Sequence, residues 1–324
     1  MTESSRSFDV GKERDLDGSA ARDLVAGLKC LHDLESTVAR LIACGQRAIE
    51  PLTEFLLEGR PSCIYQPRQR AVEALGGLGA KTVLMEYLRL PQDIPDPVVR
   101  FGEEAVKSAA ARELAVWRTE EVFQLLLSVA SERRLSGVIE ALGVFRRAEA
   151  VPYFEKALED DVCRPAAEEA LRKLGAVARA ALVRSSLSPF PSLEQEVPSS
   201  LCRRRSALRL LAEVGVTKDD WSLLRPFLDQ EDPDLVAAAS RLALTAGDRE
   251  DRIKAVQRLL EVLASANWYL QEEIEDYLVA LCRESSSVFG DEIGSLTSQA
   301  DEQHVSDRVR RTVLRIRKHL EGTK

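Results

Sequence analysis

The stretch PAAEEALRKLG at residues 165–175 decides the fold class of this 324-residue chain. Its apolar residues lie eight, four and one positions before the closing glycine, and this i, i+4, i+7 spacing places them on one face of a helix. A glycine directly after the last apolar position is a typical helix stop. The stretch therefore predicts an amphipathic helix that buries one face and ends at residue 175.

The same pattern recurs three more times along the chain. The copies are RAVEALGGLG at 70–79, RSALRLLAEVG at 205–215 and AAASRLALTAG at 237–247, with a looser copy, VIEALGVF, at 138–145. A second amphipathic segment follows within a few residues, for example at 221–228 and 253–263. Helix, short turn, helix is therefore the repeated unit, and a repeat of this kind indicates a solenoid in which each unit packs on its neighbours.

Several stretches resemble HEAT repeats, specifically the short type found in phycobilisome-lyase-like proteins. They are residues 70–88, 150–175 and 165–182, and the resemblance covers most of residues 35–283. It implies an all-α, right-handed α-solenoid of about nine HEAT-like helical hairpins, with the second helices lining a concave side. It also implies a ladder of Asp and Arg along the stack. Of the residues ten positions before each anchoring glycine, only Arg205 fits such a ladder.

The organisation of the chain follows from where this pattern stops. We expect residues 1–18 to form a disordered polar tail and residues 19–324 to form the solenoid, with loop insertions at 59–67, 188–200 and 284–303. A last helix at 305–320 should cap the array with a polar outer face. The three tryptophans, Trp117, Trp221 and Trp268, occur near hairpin junctions and are predicted to pack in the core.

Charge and composition exclude several function classes. The net charge of -8 argues against nucleic acid and anionic membranes as general partners, because both need a basic surface. The six cysteines contain no CxxC pair and the chain opens with the polar MTESSRSFD rather than a signal peptide, which favours a cytoplasmic protein. No apolar run reaches the roughly 18 residues that a membrane span needs.

The sequence contains no recognisable catalytic or metal-binding motif. Its three histidines, His32, His304 and His319, lack the spacing of metal ligands, and neither a P-loop nor a GxSxG nucleophile motif is present. We therefore predict no catalytic residue, no metal site and no cofactor, and interpret the chain as a non-enzyme.

The predicted binding face comes from the repeat itself. The residue six positions before each glycine lies about 200° around the helix from the buried positions, hence opposite the core. These positions, with the matching one of the looser copy, are Glu73, Glu140, Glu169, Arg209 and Arg241. An acidic first half and a basic second half would suit a protein or peptide of mixed charge. Charge on an exposed face also serves solubility alone, and this interpretation stays open.

Three functions therefore remain. The first is a non-catalytic protein-binding scaffold or adaptor that uses the concave face. The second is a nucleic-acid-binding or repair HEAT protein, although no motif of that class matches any residue. The third is a bilin-lyase-like subunit, which the repeat resemblance alone implies. Within the basic cluster Arg203–Arg204–Arg205 with Arg209, we expect Arg205 to be structural and Arg209 to face an acidic ligand.

Overall fold

The computed structural model describes residues 18–29, 34–91, 93–189, 196–284, 311 and 314. Within these ranges the chain is helical and contains no strand. Of the predicted tail at 1–18 and insertion at 284–303, only Gly18 and Glu284 are described, and they begin α1 and end α16. The remainder of both segments and a continuous last helix at 305–320 lie outside the described residues. The chain divides into two compact units, one up to Phe145 and the other from Arg146 onward.

The first unit is a series of helical hairpins. Helices α2, α4, α6 and α8 pack side by side in chain order, and α5 packs on α7. The loop before α4 follows a π-helical turn at Glu54–Glu58. The helices are α1 (Gly18–Gly27), α2 (Leu34–Ala43), α3 (Ile49–Thr53), α4 (Gln66–Gly77), α5 (Lys81–Arg89), α6 (Pro97–Leu114), α7 (Glu120–Glu132) and α8 (Ser136–Phe145).

The second unit repeats this arrangement. Its helices are α9 (Val151–Ala157), α10 (Arg164–Leu174), α11 (Arg179–Leu187), α12 (Pro198–Val214), α13 (Lys218–Leu224), α14 (Pro233–Ala246), α15 (Arg249–Ser265) and α16 (Trp268–Glu284). Helices α10, α12 and α14 form one row, α9, α11 and α13 form the other, and α15 packs on both α14 and α16. The predicted all-α class with stacked, solenoid-type hairpins is thus confirmed in the described part of each unit.

The repeat pattern predicts the core correctly. The residues eight and four positions before each anchoring glycine have no exposed surface in any of the four copies. Small side chains at the first of these positions let neighbouring helices of a row approach closely. The fully buried set is Ala71, Leu75, Ala167, Leu171, Ala207, Leu211, Ala239 and Ala243.

The anchoring glycines end their helices in two different ways. Three of them have the positive φ that favours glycine, with values of 74°, 57° and 85° at Gly79, Gly175 and Gly215. Gly247 instead has φ of -76°. A Cβ at this position would lie 2.5 Å from the carbonyl oxygen of Ala243 and 2.8 Å from Cβ of Asp251. Close packing at the α14–α15 turn, rather than a left-handed backbone, therefore requires the fourth glycine.

The prediction that all three tryptophans are core residues is confirmed for Trp221 and wrong for Trp268, whereas Trp117 is only partly buried. Trp221 is buried, with 4% of its surface exposed, whereas Trp268 is 70% exposed. The buried face of α16 is the stripe Leu270, Ile274 and Leu278. Trp268 is two residues before this stripe, and two helical steps turn a side chain about 200° away from it. Its exposure therefore follows from its register on α16.

Candidate binding face

A set of ion pairs links successive helices on the exposed side of one row in each unit. We call the residues that form these pairs on α4, α6 and α8 the ladder face of the first unit, and those on α10, α12, α14 and α16 the ladder face of the second. Arg205, which the HEAT resemblance assigns to an Asp–Arg ladder, and the five contact residues predicted from the repeat all lie on these faces.

Arg205 provides the step that the HEAT resemblance implies. Its guanidinium forms two hydrogen bonds with the carboxylate of Asp232, one of them 3.1 Å long from Nε to Oδ1. Asp232 also caps α14 by accepting a 3.0 Å hydrogen bond from the amide of Leu235. The hydrogen bond to Asp232 raises the pKa of Arg205. One arginine on α12 thus holds the first turn of α14 in place.

Arg209 and Arg241 extend the ladder to α16. Nη2 of Arg209 donates a 2.9 Å hydrogen bond to Asp234 and lies 3.8 Å from a carboxylate oxygen of Glu273. Nη1 of Arg241 lies 2.8 Å from the other oxygen of Glu273, and its guanidinium carbon is 4.8 Å from the ring centre of Tyr277. The two arginines therefore share Glu273, which ties α12, α14 and α16 together at one point.

Glu169 takes part in the ladder indirectly. It accepts a 2.8 Å hydrogen bond from Arg172 and lies 3.3 Å from Nζ of Lys173, both on its own helix α10. Arg172 in turn binds Glu213 on α12 through Nε at 2.5 Å and Nη2 at 3.2 Å. The hydrogen bond from Arg172 lowers the pKa of Glu169. Arg172 is thus the residue that links α10 to α12.

The first unit uses the same device with fewer links. Glu140 on α8 accepts hydrogen bonds of 2.5 and 2.9 Å from Arg112 on α6. Glu73 pairs with Arg70 of its own helix at 2.5 Å. Burial, and then the charge of Glu73, raises the pKa of Glu113. Charge on this face is therefore paired locally within α4 and between α6 and α8.

All five predicted contact residues lie at the surface, with side-chain exposures between 26% and 51%. The predicted acidic first half and basic second half do not consist of unpaired charges, because each of the five residues is paired with an opposite charge of the same chain. In particular, the carboxylates facing Arg209 are Asp234 and Glu273 and not those of a ligand. The repeat pattern describes each helix separately and therefore does not reveal these pairs, since most of them join two helices.

The basic cluster at 203–205 is not an exposed positive patch. Arg203 and Arg204 are each only 8% exposed. Nε of Arg204 donates a 2.8 Å hydrogen bond to the carbonyl of Ser186, and its guanidinium carbon lies 5.2 Å from the ring centre of Phe227. Arg203 donates to the carbonyl of Ser188. Both arginines therefore hold the end of α11 against α12.

The sequence analysis missed an exposed aromatic pair at the start of α16. Trp268 and Tyr269 are 70% and 60% exposed, and their rings meet edge to face with centres 5.9 Å apart. Tyr269, Glu273 and Tyr277 follow one another at intervals of four, so Tyr269 extends the ladder face along α16. The signal was available, because the dipeptide follows the helix-capping Asn267 and lies off the buried stripe of α16.

Two further features bear on the chemistry of the described residues. No group of three or more His, Cys, Asp or Glu side chains among them is arranged to hold a metal ion. None of the described helices combines the length and apolar character needed to cross a membrane.

Comparison with known proteins adds one structural match. No family model and no curated protein matches the chain. Among solved structures, the chain is similar to the complex of CpcE and CpcF of phycocyanin lyase from Nostoc sp. PCC7120, with 21% sequence identity over 85% of this chain and 98% of that chain. The TM-score of this match is 0.32.

Proposed function

We propose that this chain is a non-catalytic, cytoplasmic scaffold or adaptor that binds another protein on its ladder face. The observation that carries the proposal is the aromatic pair Trp268 and Tyr269, which stands 70% and 60% exposed beside the paired charges of the second unit. Tryptophan, tyrosine and arginine are the residues most enriched at the energetic centres of protein interfaces. Two such aromatic side chains next to each other form an exposed surface that a protein partner can bury on binding.

The ladder supports this proposal because it holds the face in one arrangement before binding. Arg209 and Arg241 are both fixed by Glu273, and Arg241 is also held against Tyr277. Ordering long side chains on binding costs about 0.5–1.5 kcal/mol for each one. Side chains that are already held lose less freedom, so more of the contact energy contributes to affinity.

The charge of the face favours a protein over a polyanion. On the second unit the arginines of the ladder already have carboxylate partners, namely Glu213, Asp232, Asp234 and Glu273. Binding to a nucleic acid gains most of its affinity from cations that release counterions from phosphates. Arginines that already have carboxylate partners contribute little to counterion release. A protein partner with alternating charges can instead form new ion pairs with both the arginines and the carboxylates of the ladder.

Affinity capture with two variants tests the proposal. The tagged chain is incubated with an extract of its native cells, with and without nuclease, and bound proteins are quantified by mass spectrometry. We expect a partner whose recovery survives nuclease and falls at least about tenfold in the double variant Trp268→Ala/Tyr269→Ala. The control is Leu223→Ala, which removes a side chain of 56% exposure from α13 in the other row.

Two results would count against the proposal. Recovery that disappears on nuclease treatment would favour nucleic-acid binding. Equal recovery by the parent chain and the aromatic double variant would show that the partner binds elsewhere.

A further inference from the structure

A cavity of 730 Å³ lies in the second unit, between α13, the end of α14 and the start of α15. One wall consists of Lys218, Trp221 and Ser222 on one face of α13, and of Arg225, the first residue of the 3-10 turn that follows this helix. The other wall is formed by residues 245–248, 251 and 252. Small-molecule sites in proteins typically enclose about 300–1,000 Å³, so the cavity is of the size of a ligand site.

The floor of the cavity contains a buried carboxylate that holds Arg225. Asp251 is only 3% exposed. Its Oδ2 accepts a 2.7 Å hydrogen bond from the indole Nε1 of Trp221, and its Oδ1 lies 2.6 Å from Nε of Arg225. The side chain of Arg225 is nevertheless 49% exposed, and its two terminal nitrogens make no hydrogen bond to a described residue. Asp251 thus forms an ion pair with Arg225 at Nε alone and leaves the terminal nitrogens available.

Lys218 provides a second available cation on the same wall. No acidic side chain among the described residues pairs with it, in contrast to Lys254 on α15, whose Nζ lies 2.6 Å from Asp229. Lys218 is also the first residue of α13, where the partial positive charge of the helix end disfavours a cation. Thr217 and Asp220 already form the capping box of this helix. Helix stability therefore does not explain a lysine at this position.

We propose that this cavity binds a small molecule through an anionic group, a carboxylate or a phosphate, held by Lys218 and the terminal nitrogens of Arg225. The guanidinium offers the forked pair of donors that fits two oxygens of such a group, and the ammonium adds a point charge. The hydroxyl of Ser222, one turn from Lys218, can donate or accept a further hydrogen bond. Basic side chains outnumber acidic ones in the lining, three to two, although the chain as a whole carries a net charge of -8.

The indole resonance of Trp221 gives a direct readout of this site. Its N–H binds Asp251, which contacts Arg225, so an anion at Arg225 changes the surroundings of that proton. The full chain, labelled with ¹⁵N, is titrated with sodium phosphate and separately with sodium acetate, at constant ionic strength set by sodium chloride. The Trp221 signal is assigned by its loss in Trp221→Phe, and the exposed Trp268 serves as the internal reference.

We expect a saturable shift of the Trp221 signal with at least one anion, and an affinity at least about tenfold weaker in Lys218→Ala. A response to phosphate alone identifies a phosphate group, and a response to acetate alone identifies a carboxylate. Lys254→Ala, which removes a paired lysine, should bind like the parent. Arg225 is left unchanged, because its removal would leave Asp251 buried without a counter-charge. The proposal is overturned if neither anion gives a saturable shift, or if Lys218→Ala binds as tightly as the parent.

Discussion

The ladder of the second unit and a polar cluster of the first unit hold charged residues in different surroundings. The second unit keeps most ladder charges at the surface, where Arg209 and Arg241 stay in contact with water. The first unit instead buries a cluster of polar groups between α4, α5 and α6, with Arg68, Tyr87, Glu103 and Lys107 all less than 7% exposed. An exposed pair can exchange partners at small cost, whereas removing one member of a buried cluster leaves another without a counter-charge.

The buried cluster is built around one carboxylate. Glu103 accepts a 3.2 Å hydrogen bond from Nη2 of Arg68 and a 2.6 Å hydrogen bond from the hydroxyl of Tyr87. Arg68 also donates to the carbonyls of Phe55 and Gly59, at 3.3 and 2.9 Å. The cluster therefore fixes the start of the loop before α4. We expect it to dominate the stability of the first unit, and the ladder to serve binding more than stability.

The largest effect should come from removing the central carboxylate. Glu103→Ala leaves Arg68 buried without its counter-charge, which typically costs about 3–5 kcal/mol. The measurement is amide hydrogen exchange by mass spectrometry, and we expect protection of the α4 and α6 peptides to fall by that free energy. Glu104→Ala, at the next position on α6, is the matched control and should leave protection nearly unchanged. Equal protection in both variants would contradict a central role for the cluster.

Lys107 should make the stability of the first unit depend on pH. Burial, and then the charge of Arg133, lowers the pKa of Lys107 from 10.5 to about 8. Between these two values the unfolded chain binds more protons than the folded one, so the free energy of unfolding rises with pH. The slope for one titrating group is at most about 1.4 kcal/mol per pH unit. Burial also raises the pKa of Tyr87, so the hydroxyl keeps its proton through this window.

Denaturant unfolding between pH 7.5 and 9.5, in roughly half-unit steps, measures this dependence. Lys107→Met keeps the volume of the side chain and removes the titrating group, so its stability should rise less steeply than that of the parent. A parallel pH dependence in the two proteins would mean that Lys107 does not titrate in this range.

Within the ladder, Arg205 and Arg209 should differ by a smaller amount. Arg205→Ala removes both hydrogen bonds to the helix cap Asp232, and we expect a loss of about 1–2 kcal/mol. Arg209→Ala removes a more exposed pair, and the loss should stay below about 1 kcal/mol. Thermal unfolding of the two variants under identical conditions makes the comparison. An equal or larger loss for Arg209→Ala would show that Arg205 does not contribute more to stability than Arg209.

The smallest effect on stability should come from the aromatic pair. Trp268→Ala/Tyr269→Ala removes side chains that are mostly in water, so we expect the unfolding free energy to change by less than about 0.5 kcal/mol. Trp221→Ala is the contrasting variant, because it empties a buried site and leaves Asp251 without the indole donor. A melting temperature of the double variant as low as that of Trp221→Ala would mean that the aromatics belong to the core.

The periodicity of the sequence predicted the fold but not the partners of the charged residues. Ala71 and Leu75 and their counterparts are buried as predicted, because a helix with one apolar stripe has one way to pack in a row. The same periodicity placed Arg209 and Arg241 at the surface correctly. It did not reveal that both arginines share Glu273. Glu273 follows Arg241 at the same 32-residue interval that separates Arg241 from Arg209, but α16 lacks the closing glycine from which these positions were counted. The burial of Arg68 and Lys107 was not predicted either, because charged residues are expected at the surface unless their partners are known.

Amide hydrogen exchange of the full chain, free and bound to its captured partner, tests most directly whether the ladder face of the second unit is the binding surface. The central prediction is that amides at the start of α16, next to Trp268 and Tyr269, and those of α12 and α14 near Arg209 and Arg241 become protected. The peptides of α11 and α13, in the other row, should exchange as in the free chain. Protection confined to α11 and α13, with α16 unchanged, would contradict the proposed scaffold function of the ladder face.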